Sequence, residues 1–176
     1  MKKITILLGL MMVVGLASLS LAGTSDSINL MVTPVTNVSV NIVLDSYNFT
    51  SVALYNGTTV NSTALEVKND GSVNAKWQHK ANLNTTGGSV NWTLVYAGVL
   101  ASTNEFRLWA EVAAAQPGSF DEARKVTTTN ADLTGASNIP PNPTTGQSLW
   151  IKLEMPWAAG DSLEHTATYT ITASAI

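Results

Sequence analysis

The side chains most able to do chemistry are two histidines and two close pairs of carboxylates. His79 and His165 are the only histidines, and neither lies in a metal-binding spacing such as HxH or HExxH. The pairs Asp121–Glu122 and Asp161 with Glu164 fall in predicted loops, where carboxylates usually cap turns or face solvent. No GxSxG nucleophile elbow occurs. The sequence therefore predicts no catalytic, metal or cofactor site, and a protein that is not an enzyme.

Five tryptophans are the next most informative side chains. Trp77, Trp92 and Trp157 fall on strand faces predicted to line the core, where a large aromatic side chain is usually found. Trp109 and Trp150 fall on the opposite faces and are predicted to be exposed aromatic contacts. Such side chains stack on sugar rings or pack beneath a loop or a neighbouring subunit. Both alternatives stay open, with the long loop of residues 116–147 as one candidate cover.

Strict alternation of apolar and polar side chains predicts the strands that position these residues. In "LWIKLEMPW", residues 149–157, every second side chain is apolar and faces one way. "EFRLWAEV", residues 105–112, repeats the pattern. The inward set of these two strands comprises Phe106, Leu108, Ala110, Val112, Leu149, Ile151, Leu153, Met155 and Trp157.

Glycine-containing turns separate the alternating segments. Asn69-Asp70-Gly71 and Gly87-Gly88 are turn sequences that supply positive φ. The last strand is predicted to begin at His165 and to form a hairpin with residues 149–157. A short helix is predicted around "SFDEARKV", with Ser119 as its cap.

The count of strands predicts an all-β fold. About eight to ten strands, one short helix at most and a long connection over about residues 113–147 favour an antiparallel β-sandwich of jelly-roll or Ig-like type. Four of the six prolines lie in residues 116–147. An eight-stranded outer-membrane barrel is the rival, but the chain lacks a terminal aromatic residue and paired aromatic girdles.

The amino-terminal residues predict export. Lys2 and Lys3 precede an apolar run that meets the small-x-small site Ser20-Leu21-Ala22, which is typical of a cleaved signal peptide over residues 1–22. A single domain of residues 23–176 follows. We expect a protein that is secreted to the extracellular space or cell surface, with the periplasm as the alternative, and no membrane span after cleavage.

The cysteine content and the charge of the chain limit how the fold is stabilised and which classes of partner it can bind. The chain has no cysteine, so no disulfide supports the fold. Without Lys2 and Lys3, seven basic residues face twelve acidic ones and form no basic patch. Nucleic acid is therefore excluded as a predicted partner. Charged residues are only 12% of the chain. Few charged side chains are therefore available to prevent edge strands from pairing with another chain.

A short alternating segment opens the predicted mature chain. Ile28, Leu30 and Val32 alternate with polar or flexible side chains, and Pro34 interrupts the pattern. Val38, Val40, Ile42 and Leu44 resume the alternation after Pro34, which predicts either two strands separated near Pro34 or one edge strand broken there.

The order of these pieces resembles a known family. The segments "LEVKNDGSVNAKW", "NEFRLWAEV", "SLWIKLEMPW" and "HTATYTITASA" are similar in order and character to the camelysin/TasA group of secreted matrix-fibre proteins and to archaeal bundling pilins. The chain is shorter than TasA-like chains and lacks their lysine-rich loops. The resemblance implies a jelly roll that polymerises by donor-strand exchange, with Ile28, Leu30 and Val32 as the donor strand and Pro34 as its hinge.

Two functions follow as expectations. The first is a secreted, non-enzymatic structural protein that self-assembles into an extracellular filament, biofilm matrix or surface layer, with copies of itself or other cell-surface proteins as partners. The second is a carbohydrate-binding or adhesive β-sandwich module that contacts polysaccharide through Trp109 and Trp150.

Overall fold

The computed structural model describes residues 36–49, 58–96, 102–142 and 144–176. Strands are the main regular secondary structure of these residues, as the alternating pattern predicts. The strands are β1 (Asn41–Ile42), β2 (Thr59–Asn61), β3 (Leu65–Lys68), β4 (Ala75–Ala81), β5 (Thr93–Leu94), β6 (Glu105–Val112), β7 (Ala131–Asp132), β8 (Gln147–Glu154) and β9 (Tyr169–Ala175). The predicted signal peptide and the segment of residues 28–34 lie outside the described residues.

The strands form two sheets. In the first, the order is β1-β3-β8-β6-β5, and β2 pairs with the same β8 strand. In the second, the order is β7-β4-β9. Every named strand pair is antiparallel except β5 with β6, which is parallel. The prediction of an all-β sandwich is confirmed.

One hydrophobic core lies between the sheets. Because successive side chains of a strand point to opposite faces, each strand contributes every second residue to it. Trp77 and Trp92 are buried there, as predicted. Other buried members from both sheets include Leu65, Val67, Phe106, Leu108, Leu149, Ile151 and Ile171.

Strands β6 and β8 are the longest pair, with eight residues each. Their inward faces are as predicted, since Leu108 pairs with Leu153 and Val112 with Leu149 across the ladder. The outward face of β6 is not in solvent, however, because Arg107 and Trp109 are also buried. The long connection after β6 covers part of this face.

That connection has its own short elements. Its only described helix is a single 3₁₀ turn, Glu122–Arg124. Asp121 caps the turn by accepting a hydrogen bond from Ala123 N at 3.1 Å. The prediction that Ser119 is the cap is wrong, and the Ser119 carbonyl instead accepts from the Arg124 guanidinium.

Two predicted hairpins are wrong. Strands β3 and β4 flank Asn69-Asp70-Gly71 but belong to different sheets. The Asn69 amide, buried, donates to the carbonyls of Val73 and Ile139 and its oxygen accepts from Gly71 N. The turn therefore carries the chain from one sheet to the other.

The connection between β8 and β9 also crosses between the sheets. Strand β8 ends at Glu154 and Pro156 follows two residues later. The alternation therefore stops before Trp157, whose predicted place in the core is wrong, since its side chain is 53% exposed. The prediction that His165 begins a strand is also wrong, because β9 begins at Tyr169.

The two ends of the sandwich differ. We call the end where Ala75 pairs with Ala175 the base, and the end where Ala81 pairs with Tyr169 the apex. The described chain begins at the base, where Asn37 N donates to Ser72 Oγ at 2.9 Å. The connections β4–β5 and β8–β9 meet at the apex, through a bridge between Thr86 and Thr166.

Candidate functional site

Trp109 is not the exposed contact that its strand face predicts. Its side chain is only 5% exposed. A bridge joins Trp109 to Lys125 in the long connection, and the ammonium of Lys152 lies 4.3 Å from the ring centroid on the neighbouring strand. The prediction of an exposed Trp109 is wrong. Of the two alternatives that the sequence leaves open, burial beneath the long connection is the one observed.

Trp150 is half-buried and its polar atom is engaged. The indole Nε1 donates to the carbonyl of Ala113 at 2.9 Å, at the start of the long connection. Its cross-strand partner is Glu111, which pairs with Arg124 at 2.9 Å. Trp150 thus helps to hold the connection against the sheet, and neither predicted tryptophan forms an open platform.

Sequence reasoning missed a buried ion pair on the same outward face. Arg107 and Glu154 are direct cross-strand partners, with 3.5 Å between Nη1 and Oε2 and side chains that are 6% and 4% exposed. Arg107 Nε and Nη2 and Glu154 Oε1 have no hydrogen-bond partner among the residues that the structure describes. The sequence shows that charged side chains alternate in β6 and β8, but it does not show the strand register that makes Arg107 and Glu154 partners.

A second missed cluster ties the two apical connections together. Asp161 Oδ2 accepts from Ser89 N and Ser89 Oγ, each at 2.7 Å, and from Val90 N at 3.0 Å. Asp161 Oδ1 accepts from Leu163 N at 3.1 Å and lies 2.8 Å from His165 Nε2. We call Thr85, Ser89, Trp92, Asp161 and His165 the apical clasp.

The imidazole is the centre of the clasp. The His165 ring stacks on Trp92 with centroids 3.9 Å apart, and Nδ1 lies 3.1 Å from Thr85 Oγ1. A Cβ atom at Gly88 would lie 2.1 Å from the ring, so the absence of a side chain there lets the turn close over it. The ring therefore lies close to both Trp92 and the Gly88 turn.

The clasp combines a hydroxyl, an imidazole and a carboxylate, the three groups of a hydrolytic triad. A nucleophile must reach substrate, however, and Thr85 is buried with its hydroxyl already accepting a hydrogen bond from Trp92 N. The cluster is therefore suited to holding loops in place. Within the described residues there is no group of three or more potential ligands that could hold a metal ion.

The contribution of the clasp to stability depends on pH through Asp161. The Ser89 hydroxyl, then His165 and the Val90 amide, hold the pKa of this carboxyl well below its ordinary value of 3.8. A carboxylate with a depressed pKa stabilises the fold above its unfolded pKa, and this contribution is lost as pH falls through the folded value.

We expect Asp161→Asn to lower the free energy of unfolding at pH 7 and to reduce the loss of stability on going from pH 7 to pH 3. Asp70→Asn, at an exposed position, is the matched control and should change neither quantity. Urea unfolding at both pH values measures the difference. Equal behaviour of the two variants would contradict this role of Asp161.

The connections that meet at the apex also carry exposed apolar side chains. Val90, Trp157 and Leu163 are 38%, 53% and 56% exposed. We call these three residues the apical surface. Asp161 accepts from the backbone of both Val90 and Leu163, so the clasp fixes two of the three in place.

The backbone of the Trp157 loop is bonded to the residues just before β6. The Trp157 amide donates to the carbonyl of Ser102 at 3.2 Å, and Gly160 N donates to Asn104 Oδ1 at 2.6 Å. Asn104 has a φ of 58°, a left-handed conformation that asparagine tolerates better than most residues. The exposed indole is therefore presented by a hydrogen-bonded loop.

No helix among the described residues is long and apolar enough to cross a membrane. Comparison of the chain with protein-family models, with curated proteins and with solved structures finds no match.

Proposed function

We propose that the protein is a secreted structural subunit that self-assembles into an extracellular filament, biofilm matrix or surface layer. The observation that carries the proposal is the free edge of β9. This strand pairs with β4 along seven residues and is the last strand of its sheet among the described residues. It contains no charged side chain, and an uncharged edge of this length favours pairing with another chain.

The amino-terminal segment is the proposed donor. Ile28, Leu30 and Val32 alternate as an added strand requires, and Pro34 supplies the hinge. The described chain begins at Thr36 beside Ser72, at the base. A segment that leaves its own copy there can reach a second copy, and such head-to-tail contacts build open polymers.

Removing residues 23–33, with the signal peptide kept, is expected to abolish polymers while leaving the fold intact. The reason is that the deletion takes away the donated strand but none of the described core. Negative-stain electron microscopy and sedimentation measure assembly, and circular dichroism checks the fold. A variant with Ile28, Leu30 and Val32 each replaced by Ser should behave like the deletion.

The matched control replaces Asn29 and Thr33, which would face away from Ile28, Leu30 and Val32 in an extended segment, with Ser and should assemble normally. Polymers of the deletion variant, equal in amount to those of the unchanged protein, would contradict donor-strand exchange. Dispersed monomers of the unchanged protein at all concentrations would contradict the structural function as a whole.

One observation favours the second candidate, a carbohydrate-binding module. Trp157 is more than half exposed and its loop is held by hydrogen bonds, so it could serve as a stacking platform for a sugar ring. Binding of polysaccharides that is lost on Trp157→Ala would support this function. The contacts that the sequence predicts, Trp109 and Trp150, are buried and half-buried and would not be used.

A further inference from the structure

The chain contains about twice as many N-x-S/T sequons as its composition predicts. Such a sequon is the acceptor for an asparagine-linked glycan in an exported protein, provided that the middle residue is not proline. The sequence has 15 asparagines and 38 serines and threonines among 176 residues, so about three sequons are expected by chance. The six that occur begin at Asn37, Asn48, Asn56, Asn61, Asn84 and Asn91.

The sequons are confined to one part of the chain. All six fall within residues 37–93, and residues 94–176 contain none, although they hold four asparagines and 17 serines and threonines. The one Asn-x-Thr sequence in that second part, Asn142-Pro143-Thr144, has proline in the middle position, which prevents glycosylation. Strands β6, β8 and β9 therefore contain no acceptor site.

Three of the sequons have a buried residue in their middle position. The buried residues are Ser62, Thr85 and Trp92, at 3%, 2% and 7% exposure. Successive side chains of an extended chain point to opposite sides, so the residues on either side of each buried one face away from the core. The three asparagines are accordingly exposed; they are Asn61, Asn84 and Asn91.

Asparagines outside the sequons are the ones that hold loops through their amide nitrogen. Asn69 Nδ2 donates to two backbone carbonyls, and Asn74 Nδ2 and Asn142 Nδ2 each donate to a side-chain oxygen. Asn84 is bonded through its oxygen instead, since Oδ1 accepts from Thr93 Oγ1 at 3.3 Å. The amide nitrogen is the atom to which an N-linked glycan is attached, and this bond leaves it available at Asn84.

We propose that Asn61, Asn84 and Asn91 carry N-linked glycans in the exported protein. The inference rests on the export that the proposed function requires, and it adds a modification to that function. The co-reactant is a sugar chain held as a glycosyl phosphate on a lipid carrier. The asparagine amide nitrogen bonds to the anomeric carbon and loses one proton to a base of the transferase. The bond from that carbon to the phosphate oxygen breaks, and the lipid phosphate leaves.

The proposed positions are compatible with self-assembly. Asn61 is the last residue of β2, which pairs with β8 in the first sheet, and the other two asparagines lie in the connection between β4 and β5. The described strands of the second sheet, β7, β4 and β9, contain no sequon. No glycan is therefore attached to the strand that offers the free edge. Glycans also add hydrated groups to a chain with only 12% charged residues.

Mass spectrometry of the protein secreted by the cells that naturally make it tests the proposal. We expect the intact mass to exceed the mass of the polypeptide by whole sugar residues. Fragment spectra of proteolytic peptides should place these sugars on Asn61, Asn84 and Asn91. The same polypeptide made in a cytoplasm without glycosyltransferases supplies the unmodified mass for comparison.

Substitutions of the hydroxyl residues separate the sequon from the fold. Thr63→Ala and Thr86→Ala change exposed positions and break the sequons of Asn61 and Asn84. Each variant should lose the glycan of its own sequon and keep the other glycans. Thr63→Ser and Thr86→Ser are the matched controls, which preserve the sequons and should keep both glycans. Glycans that persist in the alanine variants would overturn the assignment.

The outcomes distinguish this inference from the proposed function. Secreted protein that forms polymers but is unmodified at the three asparagines, or that carries sugars only on serine or threonine, would overturn the inference and leave the structural function standing. Glycans at the three positions on a protein that stays monomeric at all concentrations would support the inference and contradict self-assembly. Unmodified protein that is retained in the cell with residues 1–22 attached would refute export and the inference together.

Discussion

Replacing Arg107 with methionine is expected to lower the free energy of unfolding by about 3–5 kcal/mol, because it leaves the Glu154 carboxylate buried without its partner. Both side chains are almost fully buried, at 6% and 4% exposure, and face each other across β6 and β8. A buried charge without a counter-charge costs far more than a lost surface contact. Urea unfolding at pH 7 measures the change.

The double variant Arg107→Met with Glu154→Leu should recover most or all of the lost stability. Three polar atoms of the pair have no hydrogen-bond partner in the described part of the chain, so the cost of burying the two charges is only partly offset, and apolar replacements avoid it. The matched control is the exposed pair Lys76–Asp132, with 2.6 Å between its charged atoms. Lys76→Met should cost less than about 1 kcal/mol. An Arg107→Met variant as stable as the unchanged protein would contradict this account.

The second large effect is a loss of stability in mild acid that depends on His79. This side chain is buried in the core and its Nδ1 lies 2.9 Å from the Tyr169 hydroxyl on the edge strand β9. Burial lowers the pKa of His79 from 6.5 to about 4. Burial also raises the pKa of Tyr169, so the tyrosine stays neutral and supplies no counter-charge.

The direction of the change in stability with pH follows from where His79 binds a proton in each state. Between pH 6.5 and about 4, the unfolded chain protonates His79 while the folded chain does not. Acid therefore favours the unfolded state across this window. The free energy of unfolding falls by about 3 kcal/mol between a pH above both pKa values of His79 and a pH below both. The contribution to stability is complete above pH 6.5 and falls as the pH is lowered.

Urea unfolding from pH 7 to pH 4 measures this effect. His79→Gln keeps a hydrogen-bonding side chain near Tyr169 but cannot titrate, so its stability should vary much less over the window. A pH dependence of His79→Gln equal to that of the unchanged protein would show that other groups cause it.

Much of the candidate site could not be predicted because it depends on non-local register. Alternation in "EFRLWAEV" and "LWIKLEMPW" correctly assigned Leu108 and Leu149 to the core, since period two is a local property of the strand. The outward positions Trp109 and Trp150 were assigned by the same rule, but their burial depends on a connection whose path is set elsewhere in the chain.

The apical clasp also depends on contacts between distant segments, which a local sequence pattern cannot predict. Asp161 and His165 are close in sequence, and a capped turn was a fair expectation for them. Their partners Ser89 and Thr85 are more than seventy residues away, and nothing in the local pattern connects the two segments. Packing of the two inter-sheet connections at the apex brings them together.

By itself, the sequence determined the all-β class, the inward faces of the long strands and a fold without disulfides, because side-chain period and composition are local quantities. Only the tertiary structure decided that β3 and β4 lie in different sheets, that Arg107 meets Glu154, and that Trp109 is covered while Trp157 is exposed. These outcomes depend on which distant segments pack together, which is set by the burial of all the strands at once.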